Sequence, residues 1–170
     1  MADVDARWMQ RCLGLAALGA GRAAPNPMVG SVLVRDGALL AEGFHAGPGL
    51  AHAEVDALGK LGGRAERATL YVNLEPCCHV GRTPPCTDAI LQSGVRRVVV
   101  GMIDPNPLVC GKGISILTSA GIEVVVGVLE AACREQNRDF VSRMLALAEA
   151  ERASAASCGR ALGRRACVPR

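Results

Sequence analysis

The spacing of apolar and polar positions along the chain predicts an alternation of helices and strands. Apolar residues recur at helical spacing over residues 5–20, which predicts an amphipathic helix there. Two β-rich runs, 29–35 and 38–44, then flank the dipeptide Asp36-Gly37. Because both positions of a two-residue hairpin turn need positive φ angles, this dipeptide predicts an antiparallel hairpin.

The rest of the chain continues as single strands alternating with single helices. The predicted elements are a helix over 52–61, a strand over 68–74, a helix over 86–93, a strand over 95–103, a helix ending at Ala120, a strand over 122–127 and a helix over 130–151. A hairpin followed by repeated strand–helix–strand units is typical of a mixed sheet with helices on both faces. The pattern therefore predicts an α/β fold, a three-layer α/β/α sandwich around a five-stranded mixed sheet.

Three loops of this predicted fold collect the polar residues and the residues able to bind metal. They are the segments 45–52, 75–86 and 104–113, and each follows a predicted strand. Ligands of such sheets bind beyond the carboxyl ends of the parallel strands, beside the N-termini of helices. We therefore expect the three loops to meet at one edge of the sheet and to form the functional site.

Composition and charge narrow the class of function. Half of the 170 residues are apolar, which is enough for one aliphatic core, but only 2% are aromatic. Single-stranded nucleic acid needs rings on which its bases stack. Residues 1–140 carry 13 basic and 14 acidic side chains, a net charge of −1, whereas residues 141–170 carry six Arg and two Glu. Because only the tail is basic, we expect no nucleic-acid partner.

No segment is predicted to cross a membrane or to act as a targeting signal. The apolar stretch over 12–21 is about half of the ~20 residues that a spanning helix needs. Asp3 and Asp5 do not suit the positive start of a signal peptide, so we interpret this stretch as part of the first helix. We expect a cytoplasmic protein with no membrane partner, whose eight cysteines are thiols or metal ligands rather than disulfides.

The length and the change in composition predict one folded domain followed by a tail. We expect residues 1–145 to form the domain. Residues 146–170 are rich in Ala and Arg and have no clear apolar period. We expect this tail to be weakly ordered or to extend the last helix.

Three residues in the predicted loops have the chemistry of a zinc site. His52 opens a predicted helix, Cys77 follows a predicted strand, and Cys86 opens the next helix, with eight residues between the two cysteines. One imidazole and two thiolates are the protein ligands of a catalytic zinc whose fourth position is open to water. We therefore predict one Zn²⁺ per chain, held by these three side chains.

Glu54 lies two residues after His52, so on a regular helix the two side chains point in different directions. We predict that this carboxylate faces the zinc-bound water rather than the ion. Zinc lowers the pKa of a bound water to about 7, and a neighbouring carboxylate can pass the proton to a leaving amine. Zinc deaminases carry H-x-E followed by P-C-x-x-C, and here the second cysteine is farther along the chain. The pattern therefore indicates hydrolytic deamination, with Glu54 as general acid and base.

Other interpretations of these residues stay open. H-x-E and a Pro-Cys pair are each weak signals alone, and a buried cysteine is more often a packing residue than a ligand. A structural zinc normally has a fourth protein ligand, which Cys78 or His79 could supply. We favour an open site with Cys78 and His79 as loop residues beside it. We interpret Cys12, Cys110 and Cys133 as packing residues.

Five short motifs occur in order along the chain. They are Pro25-Asn-Pro-Met-Val-Gly30, His52-Ala-Glu54, Leu74-Glu-Pro-Cys77, Gly81-Arg-Thr-Pro-Pro-Cys86 and Asp104-Pro-Asn-Pro107. Together they resemble the deaminase domain of the bifunctional riboflavin-biosynthesis deaminase/reductase family, over about residues 5–140. The resemblance implies a cytidine-deaminase-like three-layer α/β/α fold, in agreement with the pattern of apolar positions.

The resemblance also implies roles for individual residues. The positions that match the zinc ligands of the family are His52, Cys77 and Cys86, and Glu54 matches its proton shuttle. The positions that match its substrate pocket are Asn26, His45, Arg82, Asp104 and Asn106. The guanidinium of Arg82 suits a phosphate. Without the resemblance, Asn26 and Asn106 would be interpreted first as turn residues.

The implied reaction is the zinc-dependent hydrolytic deamination of a phosphorylated pyrimidine in riboflavin biosynthesis. The substrate would be 2,5-diamino-6-(5-phosphoribosylamino)pyrimidin-4-one, and the products 5-amino-6-(5-phosphoribosylamino)uracil and ammonia. Two alternatives are a related nucleobase or nucleoside deaminase, and a catalytically inactive, truncated zinc module. A homo-oligomer is compatible with the family.

The sequence departs from the family in small and large ways. Cys78 stands where the family usually has Ser, Val80 where it often has His, Cys110 where Ala is common, and Phe44 where Trp is frequent. The reductase domain of the family has roughly 200 residues and does not fit into this chain. We therefore expect a deaminase without a reductase domain, and no NADP cofactor.

Overall fold

The computed structural model describes residues 2–80, 84–107 and 109–162, and its elements follow one another in nearly the predicted order. In chain order they are α1 (Ala2–Ala17), β1 (Gly30–Arg35), β2 (Ala38–Phe44), α2 (Ala53–Gly59), β3 (Thr69–Leu74), α3 (Cys86–Ser93), β4 (Arg97–Met102), α4 (Lys112–Ser119), β5 (Glu123–Val126), α5 (Glu130–Gln136) and α6 (Arg138–Leu162). Their bounds differ from the predicted ones by a few residues, as is usual where a periodic pattern fades into a loop.

The five strands form one mixed sheet in the order β2-β1-β3-β4-β5. β1 pairs antiparallel with both β2 and β3, whereas β3, β4 and β5 run parallel to one another. The hairpin between β1 and β2 turns at Asp36 and Gly37, whose φ angles are 52° and 78°. The predicted hairpin and the predicted mixed sheet are both confirmed.

Helices cover both faces of the sheet. α1 and α5 pack on one face, while α2, α3 and α4 lie side by side on the other. β3 and β4 are buried over nearly their whole length, because parallel strands between two helix layers meet apolar side chains on both faces. The largest fully buried side chains are aliphatic or methionine: Met9, Leu33, Leu70, Ile90, Met102 and Leu117. The predicted three-layer α/β/α architecture is therefore confirmed.

The end of the chain differs from its prediction. The segment 130–151, predicted as one helix, is divided at Asn137 into α5 and α6. Asn137 is buried, and its side-chain amide is hydrogen-bonded to the backbone of Met28, a contact that apolar periodicity does not reveal. α6 continues past residue 145 to Leu162. The division of the chain at residue 145 stays a prediction.

One assignment of a cysteine is also wrong. Cys12 and Cys133 are buried, as packing residues should be, but Cys110 is exposed. Cys110 lies in the loop before α4, and because it is exposed its side chain does not join the core. No helix within the described ranges is long and apolar enough to cross a membrane.

Candidate active site

A cavity of about 470 Å³ lies at the carboxyl ends of β3 and β4. Segments of all three loops that were expected to meet there contribute to its wall, together with the segment before β1 and one residue of α6. The lining residues that carry the argument below are Asn26, His45, His52, Glu54, Glu75, Cys77, Asp104, Asn106 and Phe140. The predicted meeting of the loops is confirmed.

Three possible metal ligands lie together, and two of them, His52 and Cys77, line this cavity. His52 occupies the N-cap position of α2, Cys77 follows β3, and Cys86 is the first residue of α3. Their ligand atoms all lie within 4.8 Å of one another. His52 Nδ1 is 3.2 Å from Cys86 Sγ and 3.4 Å from Cys77 Sγ. A tetrahedral zinc site places nitrogen and sulfur ligands about 3.6 Å apart, so these residues could hold one zinc ion with little rearrangement.

Hydrogen bonds among the two sulfurs and the imidazole shift the pKa values of all three groups. A hydrogen bond from the Cys86 thiol and another from His52 lower the pKa of Cys77 well below its ordinary value, which favours the thiolate form of Cys77. The same contact with Cys77, together with burial, raises the pKa of Cys86 well above its ordinary value. The hydrogen bond to Cys77 also raises the pKa of His52. Because zinc binds thiolates and neutral imidazole, its binding would release the protons that these groups hold.

Glu54 is buried against the same three residues. Its side chain lies in the first turn of α2, lines the cavity and is 3% exposed. Burial, reinforced by the negative charge of Cys77, raises the pKa of Glu54 to about 7. A carboxyl group with a pKa near the working pH can both take and return a proton. The geometry and the protonation of Glu54 therefore suit a proton carrier.

His45 and Asn26 form a hydrogen-bonded chain in the wall of the cavity. The Ala51 carbonyl oxygen can only accept, and it lies 3.1 Å from His45 Nδ1, so Nδ1 donates to it. His45 Nε2 is then the acceptor, and the Asn26 Nδ2 group donates to it over 3.0 Å. This orientation leaves Asn26 Oδ1 as the amide acceptor for a ligand in the cavity.

Asp104 and Asn106 lie together on the opposite loop. The Asn106 backbone N–H donates to Asp104 Oδ1 over 2.8 Å, and both residues line the cavity. Burial raises the pKa of Asp104 to about 6. The structure thus brings four of the five residues that match the family's substrate pocket to one cavity. The fifth, Arg82, lies outside the described residues.

Glu75 is a buried residue of the site that the sequence patterns did not single out. Its Oε2 accepts hydrogen bonds from the backbone N–H groups of Asp104 and Gly111, at 3.2 and 2.9 Å. Its Oε1 accepts another from Ile114 at 3.3 Å. Glu75 therefore fixes the loop that carries Asp104 and the start of α4. The signal in the sequence is a charged residue directly after an apolar strand and before Pro76-Cys77, but its partners are remote along the chain.

Comparison with known proteins agrees with this geometry. A sequence model of the cytidine and deoxycytidylate deaminase zinc-binding region matches residues 2–102, more than half of the chain. The chain belongs to this deaminase family. The riboflavin biosynthesis protein RibD of Synechocystis sp. is 58% identical to it over 140 residues, which make up 82% of this chain and 38% of that protein.

Two further relatives show how this chain compares in length with known riboflavin-biosynthesis proteins. The diaminohydroxyphosphoribosylamino-pyrimidine deaminase of Buchnera aphidicola subsp. Schizaphis graminum is 43% identical, and the match covers 82% of this chain and 95% of that protein. The solved structure of Acinetobacter baumannii RibD, form 2, superimposes with a TM-score of 0.81 at 49% identity, covering 84% of this chain and 40% of that one. The chain thus spans about two fifths of the length of its RibD relatives and nearly all of the length of the shorter deaminase.

These similarities confirm the resemblance to the riboflavin-biosynthesis deaminases that the five motifs indicated. They also confirm the cytidine-deaminase-like fold and make zinc the metal that the His52, Cys77 and Cys86 cluster is suited to bind. Cys78 and His79 do not join this cluster in the part of the chain that the structure describes.

Proposed function

We propose that the chain catalyses the hydrolytic deamination of 2,5-diamino-6-(5-phosphoribosylamino)pyrimidin-4-one to 5-amino-6-(5-phosphoribosylamino)uracil and ammonia. The observation that carries the proposal is the buried Glu54 carboxyl beside three ligand atoms that lie within 4.8 Å of one another. The choice of substrate is supported by the Buchnera deaminase, which this chain covers almost completely and whose name states that substrate class.

His52, Cys77 and Cys86 would hold the zinc ion in this proposal. Zinc bound there supplies a Lewis acid that lowers the pKa of water to about 7. Glu54 takes a proton from the water that attacks C2 of the pyrimidinone. It gives this proton to the ring nitrogen, then takes the second proton from the hydroxyl now on C2 and gives it to the amino group. The C2–N bond breaks as the C2 carbonyl forms, and the amino group leaves as ammonia.

The remaining wall of the cavity would bind the substrate. Asn26 offers Oδ1 to a ring or amino N–H, because its Nδ2 group is engaged by His45. Asp104 and Asn106 are suited to the ribose hydroxyls, and Arg82 to the phosphate. The assignment of all four residues to substrate, like that of the ligands and of Glu54, is part of the proposal.

The test is ammonia release from the enzymatically generated pathway intermediate. Glu54→Gln keeps the size of the side chain but cannot carry the proton, so we expect turnover to fall by about 10²–10⁴-fold with zinc content unchanged. The matched control is Glu66→Gln, whose side chain is 65% exposed and outside the cavity. Full activity of Glu54→Gln would contradict the proposed role, and a zinc-loaded wild-type protein that releases no ammonia would contradict the proposed reaction.

Several expectations about the whole protein stay predictions. They are its cytoplasmic location, its assembly into a homo-oligomer, and deaminase activity without a reductase domain or NADP. Cell fractionation, sedimentation of the purified protein and an assay for reduction of the deaminated product would test them in turn.

A further inference from the structure

The short segment 25–28 brings Asn26 to the cavity, and side chains from remote parts of the chain hold its backbone. Asn137, which lies 109 residues after Met28, accepts a hydrogen bond from Met28 N at 2.8 Å. The same amide donates to Met28 O at 3.0 Å. Asn73 of β3 also donates to Met28 O at 3.0 Å. At the other end of the segment, Arg143 of α6 donates to Pro25 O.

Asn137 is placed for this contact by the interruption between α5 and α6. Its φ and ψ angles are −107° and 20°, outside the helical range, and the residue is 3% exposed. Its side chain does not cap the helix that follows but turns toward the segment before β1. A side-chain amide carries an acceptor oxygen and a donor nitrogen side by side, so it can accept from a backbone N–H and donate to the carbonyl of the same residue. The side-chain amide of Asn137 therefore suits both polar backbone groups of Met28.

The position of Met28 determines where Asn26 lies, because only Pro27 separates them. Asn26 donates to His45, and His45 donates to Ala51, so the hydrogen-bonded chain ends at the residue before His52. His45 also contacts the His52 ring edge-on, with 5.3 Å between the ring centres. A shift of segment 25–28 would therefore break the contact that orients the Asn26 amide.

We propose that Asn137 is a positioning residue of the site, which acts on substrate through Asn26. By fixing both polar backbone groups of Met28, it holds the Asn26 amide in the orientation that presents Oδ1 to a ligand. The junction of α5 and α6 is then part of the site, although it lies in a different region of the sequence from the possible metal ligands. The kinetic part of this inference rests on the proposed function.

A double-mutant cycle in the zinc-loaded full chain tests the inference. We expect Asn26→Ala and Asn137→Ala each to lower kcat/KM for ammonia release by about tenfold. If Asn137 acts through Asn26, the double variant should lose no more than about twofold beyond Asn26→Ala. Losses that multiply would overturn the inference. Arg138→Ala is the control, because Arg138 is the next residue, is exposed and forms ion pairs with the exposed Glu135 and Asp139. Its kcat/KM should stay within about twofold of wild type.

A second readout does not depend on catalysis. The side-chain amide signals of Asn26 in a ¹H–¹⁵N spectrum are those that disappear in Asn26→Ala. In Asn137→Ala we expect these signals to move and their exchange with water to accelerate, while Arg138→Ala leaves them in place. Unchanged Asn26 signals in Asn137→Ala would overturn the inference. If wild type releases no ammonia, the proposed reaction fails and this spectrum alone decides the role of Asn137.

A conservative variant guards against loss of folding. Asn137→Asp keeps the acceptor for Met28 N but cannot donate to Met28 O while it is ionised. We expect this variant to bind zinc, with Asn26 signals and kcat/KM between those of wild type and Asn137→Ala. Asn26 signals identical to wild type, in a folded Asn137→Asp, would also contradict the inference.

Discussion

Buried carboxyl groups in this protein differ in charge because their neighbours differ. Glu54 has two sulfurs and an imidazole beside it, and burial raises its pKa to about 7. Asp5 is buried less deeply, and two hydrogen bonds of 2.9 Å from Arg97 lower its pKa. Tyr71 donates to Asp5 as well, over 2.9 Å. The ionised Asp5 thus links α1 to β3 and β4, whereas the pKa of Glu54 is raised toward neutral pH.

The ionised Asp5 should make stability depend on pH. Its pKa in the folded chain is below the ordinary value of 3.8, so its contribution is complete above that value and is lost as the pH falls through the folded pKa. We expect Asp5→Asn to lower the free energy of unfolding by about 1–3 kcal/mol at pH 7. The difference between the two proteins should shrink below about pH 4.

Urea unfolding at pH 7 and pH 3 measures this difference. Asp3→Asn is the matched control, since Asp3 lies in the same helix and is exposed, and it should change stability by about 0.5 kcal/mol or less. A loss in Asp5→Asn that is equal at both pH values would show that Asp5 contributes by packing rather than by its charge.

At the residue scale, the sequence predicts those site residues that lie in a short motif of recognisable chemistry. His52 and Glu54 are two positions apart, and each cysteine of the proposed ligand set adjoins a predicted element boundary. Glu75 and Asn137 were not predicted as site residues, because each acts on backbone groups far along the chain. Nothing in local spacing specifies a partner 36 or 109 positions away.

At the scale of elements, apolar periodicity predicted every strand and nearly every helix, because each element buries one face or both. The break at Asn137 was missed for a related reason. Apolar positions continue through α5 and α6 in phase, with Cys133 buried before the break and Phe140 packed on the core after it. A hydrogen-bonding requirement, rather than a change of periodicity, ends α5.

Contact between α1 and β1 depends on the absence of a side chain at Gly30. A Cβ atom at that position would meet the Cys12 carbonyl oxygen and the Ala16 nitrogen of α1, whereas one at Gly14 would meet nothing within 4 Å. We therefore expect Gly30→Ala to lower the free energy of unfolding by about 1–3 kcal/mol through displacement of α1.

The control for this prediction lies in the helix itself. Gly14 is an exposed interior position of α1, so Gly14→Ala should raise stability by about 0.5–1 kcal/mol through helix propensity. Urea midpoints of the two variants should shift in opposite directions. A Gly30→Ala protein as stable as wild type would show that α1 does not approach β1 as closely as described.

At the scale of the whole molecule, the site is assembled from loops that the sheet brings to one edge. The parallel order of β3 and β4 places Cys77 beside Asp104, and the antiparallel β1 returns Asn26 to the same edge. The order of elements predicted the meeting of the loops 45–52, 75–86 and 104–113, whereas only the resemblance to the family placed Asn26 with them. The contribution of α6 was not predicted, because Phe140 reaches the cavity from a helix that the predicted topology leaves unplaced.

The central claim is that one zinc ion is held by two sulfurs and one imidazole, with a fourth position facing Glu54. X-ray absorption at the zinc edge of the loaded protein measures the ligand set directly. We predict one zinc per chain with two sulfur neighbours at about 2.3 Å and two nitrogen or oxygen neighbours at about 2.0–2.1 Å. Cys78→Ser should leave that spectrum unchanged. A third sulfur neighbour would mean that a further cysteine closes the fourth position, and the account of hydrolysis would be contradicted.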